Sequence, residues 1–154
     1  AIELDPNFAD AYNNRGNSKD DLKDYNGAIS DYTKAIELNP NFANAYNNRG
    51  LSKHNLKDYN GAISDYTKAI ELNPNNALAY YNRGISKDDL KDYYGSISDY
   101  TKVIELNPND VDAYVNRGAS KEILGDLNGA CADWKKAAEL GDTDAAGWVA
   151  NQCN

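Results

Sequence analysis

The chain repeats itself every 34 residues. AIELDPNFADAYNNRG from Ala1, AIELNPNFANAYNNRG from Ala35, AIELNPNNALAYYNRG from Ala69 and VIELNPNDVDAYVNRG from Val103 are four copies in register. Between the first two copies, five of 34 positions differ: Asp5/Asn39, Asp10/Asn44, Asn17/Leu51, Asp20/His54 and Asp21/Asn55. Self-similarity at this period implies small units that bury their apolar faces by stacking on their neighbours, which is a solenoid.

Within one unit the apolar and small residues follow a helical period. Tyr12, Arg15, Gly16, Lys19 and Leu22 fall on one face at about 100° per residue, so the spacing predicts a first helix from Asp10 to Leu22. Tyr25, Ala28, Ile29, Tyr32, Ala35, Ile36 and Leu38 predict a second, from about Asn26 to Leu38, and Asn39-Pro40-Asn41 ends it. Each unit is then an antiparallel helix pair, with Gly16 and Ala28 small where the helices cross and Tyr12, Tyr25 and Tyr32 supplying bulk.

This arrangement resembles the tetratricopeptide repeat. The matching residues are Tyr12, Gly16, Tyr25, Ala28, Tyr32, Ala35 and Pro40, with Tyr46, Gly50, Tyr59, Ala62, Tyr66, Ala69 and Pro74 after them, then Tyr80, Gly84, Tyr93, Tyr100 and Pro108. Tyr114, Gly118, Ala130, Trp134 and Ala137 continue the pattern. The resemblance implies an all-α fold, a right-handed α-solenoid of antiparallel helix pairs with a C-terminal capping helix. Its units would be 9–42, 43–76, 77–110 and 111–144, with 1–8 as the end of a preceding repeat helix and 145–154 as the cap. The style of the repeat looks bacterial, and the start at Ala1 reads as a cut inside a larger array.

Composition narrows the class of function. Lys plus Arg total 16 against 24 Asp plus Glu, a net charge of -8, which disfavours nucleic acid and anionic membrane as partners. No run of 18 apolar residues and no basic-then-apolar leader is present, so the expectation is a soluble chain, cytoplasmic rather than periplasmic or secreted. No cofactor motif and no catalytic constellation stands out, and an enzyme is not expected. The single histidine, His54, lies at a position that changes between copies, a poor place for a general base.

The pattern departs from the resembled family where Arg15, Arg49, Arg83, Arg117 and Lys19, Lys53, Lys87, Lys121 stand on the packing face. Asp31, Asp65, Asp99 and Asp133 each follow an Arg by 16 residues. In a hairpin turning near Lys23 these positions are level, so four structural Arg–Asp pairs are expected. At the C-terminus Asp142 replaces the proline, and DTDAAGWVANQCN reads as a capping helix with Trp148 in the slot of Tyr12. Cys131 and Cys153 are level across that last turn. They form either a disulfide, if the compartment is oxidising, or two buried thiols.

Repeats two and three differ within the first helix at 44, 47, 51, 54 and 55, which is one stripe, roughly opposite the Tyr/Arg/Gly/Lys face. Exposed Lys23, Asp24, Ser30, Thr33, Lys34 and Glu37 recur unchanged in the second copy, so duplication followed by divergence on one side explains the pattern better than drift. In the resembled family that side lines a concave groove for partner peptides. The candidate ligand-binding residues are Asn13, Asn14, Asn17, Asn47, Asn48, Leu51, His54, Leu78, Tyr81, Asn82, Ile85, Asp88, Val115 and Asn116. Asn14, Asn48, Asn82 and Asn116 form an unvarying column that could act as an asparagine ladder on a peptide main chain. Acidic Asp10, Asp20, Asp21, Asp88, Asp89, Asp112 and Glu122 around Leu51, Leu78, Tyr81, Ile85, Val115 and Ile123 suit a basic or neutral peptide with apolar anchors. The cationic clamp that chaperone-binding relatives use for acidic tails is replaced by Asn13, Asn17, Asn48, Leu78 and Asn82. The alternative is a self-assembling scaffold, with units associating through the N-terminal end.

Overall fold

The computed structural model describes residues 6–153. Among these there are nine helices and no strands: α1 Pro6–Asp21, α2 Tyr25–Leu38, α3 Ala43–Asn55, α4 Tyr59–Leu72, α5 Ala77–Asp89, α6 Tyr93–Leu106, α7 Val111–Ile123, α8 Leu127–Glu139 and α9 Thr143–Gln152. Consecutive helices pack on one another, α1 with α2, α2 with α3, α3 with α4, α6 with α7, α7 with α8, and α8 with α9. The contacts group into two compact units, one up to Ala79 and one from Tyr80 onward.

The helix ends follow from short-range chemistry. Asp24, Asp58, Asp92 and Asp126 cap α2, α4, α6 and α8 by accepting from the amides of Gly27, Gly61, Gly95 and Gly129. A Cβ at Gly27 would lie 2.1 Å from Asp24 Oδ2, so this glycine is what lets the aspartate close over the amide. At the preceding turn Lys23 N donates to Asp20 O and Asp24 N to Lys19 O, which closes the end of α1 around a left-handed residue, Lys23, at φ 62°. Gly125 takes that place in the fourth repeat, at φ 85°.

The first helix begins earlier than its periodicity indicates. Pro6, Asn7 and Phe8 belong to α1 rather than to the end of a preceding helix, and proline suits a first helical position because its missing N–H costs no bond there. Residues 1–5, the rest of that expected tail, lie outside the described residues.

Most buried apolar residues are alanines, and few large aliphatic side chains join them. Tyr32, Tyr66 and Tyr100 are almost fully buried, each beneath a glycine of the partner helix: a Cβ at Gly16, Gly50 or Gly84 would stand 2.6–2.8 Å from the tyrosine ring. Trp134 fills the same place under Gly118. Burying a large aromatic ring against backbone gives each short pair enough apolar contact to hold without a thick core.

Candidate functional site

Beneath the candidate face lies a repeated ionic layer. Arg15, Arg49, Arg83 and Arg117 each grip an aspartate on the second helix through two nitrogens, with Nη2–Oδ1 distances to Asp31, Asp65, Asp99 and Asp133 of 2.5, 2.7, 2.7 and 2.6 Å. Lys19, Lys53, Lys87 and Lys121 reach Oδ2 of the same aspartates at 2.7–2.8 Å. Each guanidinium also lies over the tyrosine three residues before it, 5.1–5.7 Å from the ring centroid, a contact that the 16-residue spacing gave no hint of. The hydrogen bond from Arg15, with Lys19 beside it, holds the Asp31 carboxyl below the usual carboxylate range despite its burial. Both oxygens of each buried aspartate are engaged by these cations, which is the chemistry of a structural pair rather than of a ligand site.

The candidate ligand-binding residues divide into two sets. One set is taken up by packing between neighbouring first helices. Asn13 and Asn47 are 7% and 6% exposed, not surface residues of a groove. Asn13 Oδ1 accepts from Asn48 Nδ2 at 3.3 Å, whereas Asn47 Oδ1 is buried with no hydrogen-bond partner. Tyr81 is half-buried, its hydroxyl accepting from Asn116 Nδ2 at 2.8 Å, and Val115 packs against the cluster around Trp134. The physical reason is common to all four: they stand on the edge of the stripe where the next helix leans, which a single-helix period does not reveal.

Several of the varying polar residues are also engaged. Asn17 Oδ1 accepts from the Tyr32 hydroxyl at 2.9 Å and from Asn48 Nδ2 at 3.1 Å. In the third repeat the tyrosine hydroxyl changes partner: Tyr100 donates to Asp88 Oδ2 at 2.7 Å, and Ser120 donates to Asp88 Oδ1 at 2.9 Å. Ser52 likewise donates to Asp20. Burial, and then the bond to Asp88, raise the Tyr100 hydroxyl far above the ordinary phenol range.

In the column Asn14, Asn48, Asn82 and Asn116, two members already bond to neighbouring side chains. Asn48 Nδ2 donates to Oδ1 of both Asn13 and Asn17, and Asn116 Nδ2 donates to the Tyr81 hydroxyl.

The other set faces outward. Leu51 is 38% exposed, Leu78 57% and Ile123 59%, all on first helices. Asn14 is exposed, Asn82 and Ile85 are half-exposed, and Leu78, Asn82 and Ile85 share one face of α5 at a spacing of four and three. His54 is half-buried beside Tyr59, 5.2 Å between ring centroids.

The C-terminal helix α9 packs on α8, with Ala145 buried and Trp148 and Val149 against Trp134, whose ring is 5.5 Å from that of Trp148. Asp142 caps α9 by accepting from Ala145 N, as Asp110 caps α7 by accepting from Ala113 N. That correspondence is 32 residues, not 34. Trp148 thus stands in register with Asn116 rather than with Tyr114 and Tyr12, and Val149 takes the arginine position. Cys131 on α8 and Cys153 at the end of α9 are joined as a disulfide, with their Cα atoms 5.6 Å apart.

The sequence pattern of the tetratricopeptide repeat matches residues 9–42, 43–76 and 77–110, and a second pattern of the same family matches 99–132. The chain belongs to the tetratricopeptide repeat family. As a tetratricopeptide repeat protein it has the family's all-α fold of stacked helix pairs, and the family consists in general of protein-interaction modules without catalytic activity. Solved structures similar to it include a crystal structure of MamA, 30% identical over 92% of this chain and 83% of that one, with a TM-score of 0.86. The first tetratricopeptide domain of Spaghetti (RPAP3) bound to the HSP90 peptide SRMEEVD is 29% identical, covers 81% of this chain and 99% of that one, and has a TM-score of 0.78. The Arabidopsis OM64 tetratricopeptide domain is 28% identical over 77% of this chain and 98% of that one, with a TM-score of 0.75. No curated protein sequence matches significantly. None of the helices in the described residues is long and apolar enough to cross a membrane.

Proposed function

We propose that the chain is a non-enzymatic interaction module that holds a peptide segment of a partner protein against the outward faces of its first helices. The observation that carries this reading is the exposure of large apolar side chains, Leu51, Leu78 and Ile123, on helices whose opposite faces are saturated with ion pairs and buried rings. Burying such side chains favours association, and their identities differ from repeat to repeat, as a surface that reads a sequence requires. Exposed Asp112 and Glu122 lie on α7 with Ile123, and exposed Asp10 and Asp21 on α1, so the preferred peptide is basic or neutral with apolar anchors. The neighbour that holds SRMEEVD carries an acidic peptide; here Asn17, Asn48, Leu78 and Asn82 supply no cation to pair with one.

The test uses exposed apolar positions. Leu51→Asp with Leu78→Asp, assayed by fluorescence anisotropy against a panel of labelled basic-apolar peptides, should lower affinity at least tenfold while circular dichroism stays unchanged. Equal affinity for wild type and variant would exclude these faces as the binding surface.

End-to-end self-assembly is the weaker reading. Thr33 and Thr101 accept from the arginine of the following repeat, at 3.0 Å from Arg49 and Arg117, but α8 carries Lys135 at that position. Arg15 of a second copy stacked on α8 would meet a like charge, and α9 already occupies the face.

A further inference from the structure

We propose that the Cys131–Cys153 disulfide is a redox lock on the C-terminal cap: oxidised, it holds α9 on α8, and reduction by a dithiol releases α9 while the helix pairs stay folded. Three observations lead there. First, α9 has ten residues, below the length at which an isolated helix holds in water, so its structure depends on what it packs against. Second, that packing is slight. Ala145 is its one buried residue, with Trp148 and Val149 half-buried against Trp134 and Ala137. Third, the disulfide joins α8 to the far end of α9, at the helix's C-cap, so the whole helix lies within the 22-residue loop that the bond closes. A cross-link at that place removes the freedom of the segment that the contacts alone hold least.

The two sulfurs differ in access. Cys131 is 8% exposed and Cys153, at the C-cap of α9, is only half-buried, so Cys153 is the residue an incoming thiolate reaches first. Its attack breaks the protein S–S bond, forms a mixed disulfide at Cys153 and expels Cys131 as thiolate. The second thiolate of the reductant then attacks its own sulfur in the mixed disulfide and frees Cys153. The protein gains two electrons and two protons, and the dithiol leaves as a cyclic disulfide. The arrangement gives an oxidising environment a closed cap and a reducing one an open cap, with the α8 face around Ala130, Trp134 and Ala137 uncovered only in the second.

The chain's two tryptophans, Trp134 and Trp148, both belong to this contact, so their emission reports on it alone. On adding dithiothreitol to the folded wild type, with thiol titration confirming two thiols per chain, tryptophan emission should shift to the red. Amide exchange in α9 should accelerate at least tenfold, with exchange in α3, α4 and α7 within twofold of the oxidised protein. Cys153→Ser should show the same exchange pattern without reductant. Protection of α9 within twofold after complete reduction, or in Cys153→Ser, would overturn the lock. So would parallel loss of protection through every helix, which would make the bond a staple of the whole fold.

Discussion

Arg49 Nη1 donates to Thr33 Oγ1 across 3.0 Å, from the first helix of one repeat to the second helix of the repeat before it, while its Nε and Nη2 hold Asp65. One guanidinium thus closes a hairpin and joins two hairpins. Arg15 makes the same grip on Asp31, but its side chain is 60% exposed against 16% for Arg49.

The contrast gives a paired prediction. Arg49→Ala strands Asp65 in a buried site, and breaking such a pair typically costs about 3–5 kcal/mol. Lys53 remains on Asp65 at 2.7 Å, so the lower end of that range is expected. Arg15→Ala should cost clearly less, because water already reaches its guanidinium. Urea denaturation of both variants checks the order, and an equal loss in the two would mean that burial by the preceding helix adds nothing.

Proton linkage should destabilise the fold at both ends of the pH scale. The Asp31 carboxyl is depressed in the folded state by Arg15. Its contribution is therefore present above the unfolded carboxylate value, near about 3.9, and is lost as pH falls below it. Tyr66 and Tyr100 move the other way: burial raises both hydroxyls above the ordinary phenol value. The unfolded chain gives up those protons first, so stability should fall as pH rises past about 10, by up to about 1.4 kcal/mol per unit for each tyrosine. Thermal melts at pH 3, 7 and 10.5 test this. A midpoint unchanged at pH 10.5 would mean that these hydroxyls ionise freely when folded.

Close approach of the tyrosine ring makes Gly50 sensitive. A Cβ there would sit 2.8 Å from Tyr66 Cε1, and Tyr66 is fully buried, so the ring cannot swing into solvent. Gly50→Ala should cost about 1–3 kcal/mol by overpacking. The double variant Gly50→Ala/Tyr66→Leu should recover part of that loss if the clash is its cause, and a double-mutant cycle of unfolding free energies measures it.

How much of this could be read in the letters depends on whether the relation lay within one hairpin. Arg15 and Asp31 were legible because an antiparallel pair turning near Lys23 makes residues 16 apart level, and nothing outside the pair alters that. Asn13 and Asn47 fall on the groove side by period yet are buried, because helical periodicity gives an angle around an axis and not the neighbour that stands there. Asn17 and Asp88 vary between repeats, yet each accepts the hydroxyl of the buried tyrosine in its own repeat. Variation at these positions changes the partner of a buried group as well as the surface. The slot of Trp148 is not legible at a period of 34, because α8 and the turn after it, closed by Gly141 at φ 107°, are together two residues shorter than α6 and its turn.

The left-handed turn before each second helix offers a stabilising change. Lys23, Lys57 and Lys91 sit at φ 62°, 65° and 63°, a conformation that a Cβ disfavours by roughly 1–2 kcal/mol, while Gly125 holds the equivalent turn without one. Glycine returns part of that gain by loosening the unfolded chain, roughly 0.5–1 kcal/mol, so a net improvement of up to about 1 kcal/mol per site is expected. All three lysines are exposed, and the turn is held by backbone bonds such as Lys57 N to His54 O and Asp58 N to Lys53 O, which glycine keeps. The triple variant Lys23→Gly/Lys57→Gly/Lys91→Gly should therefore unfold at a higher urea midpoint than wild type. Should the midpoint instead fall, the lysine side chains would be contributing more to the turn than their backbone conformation costs.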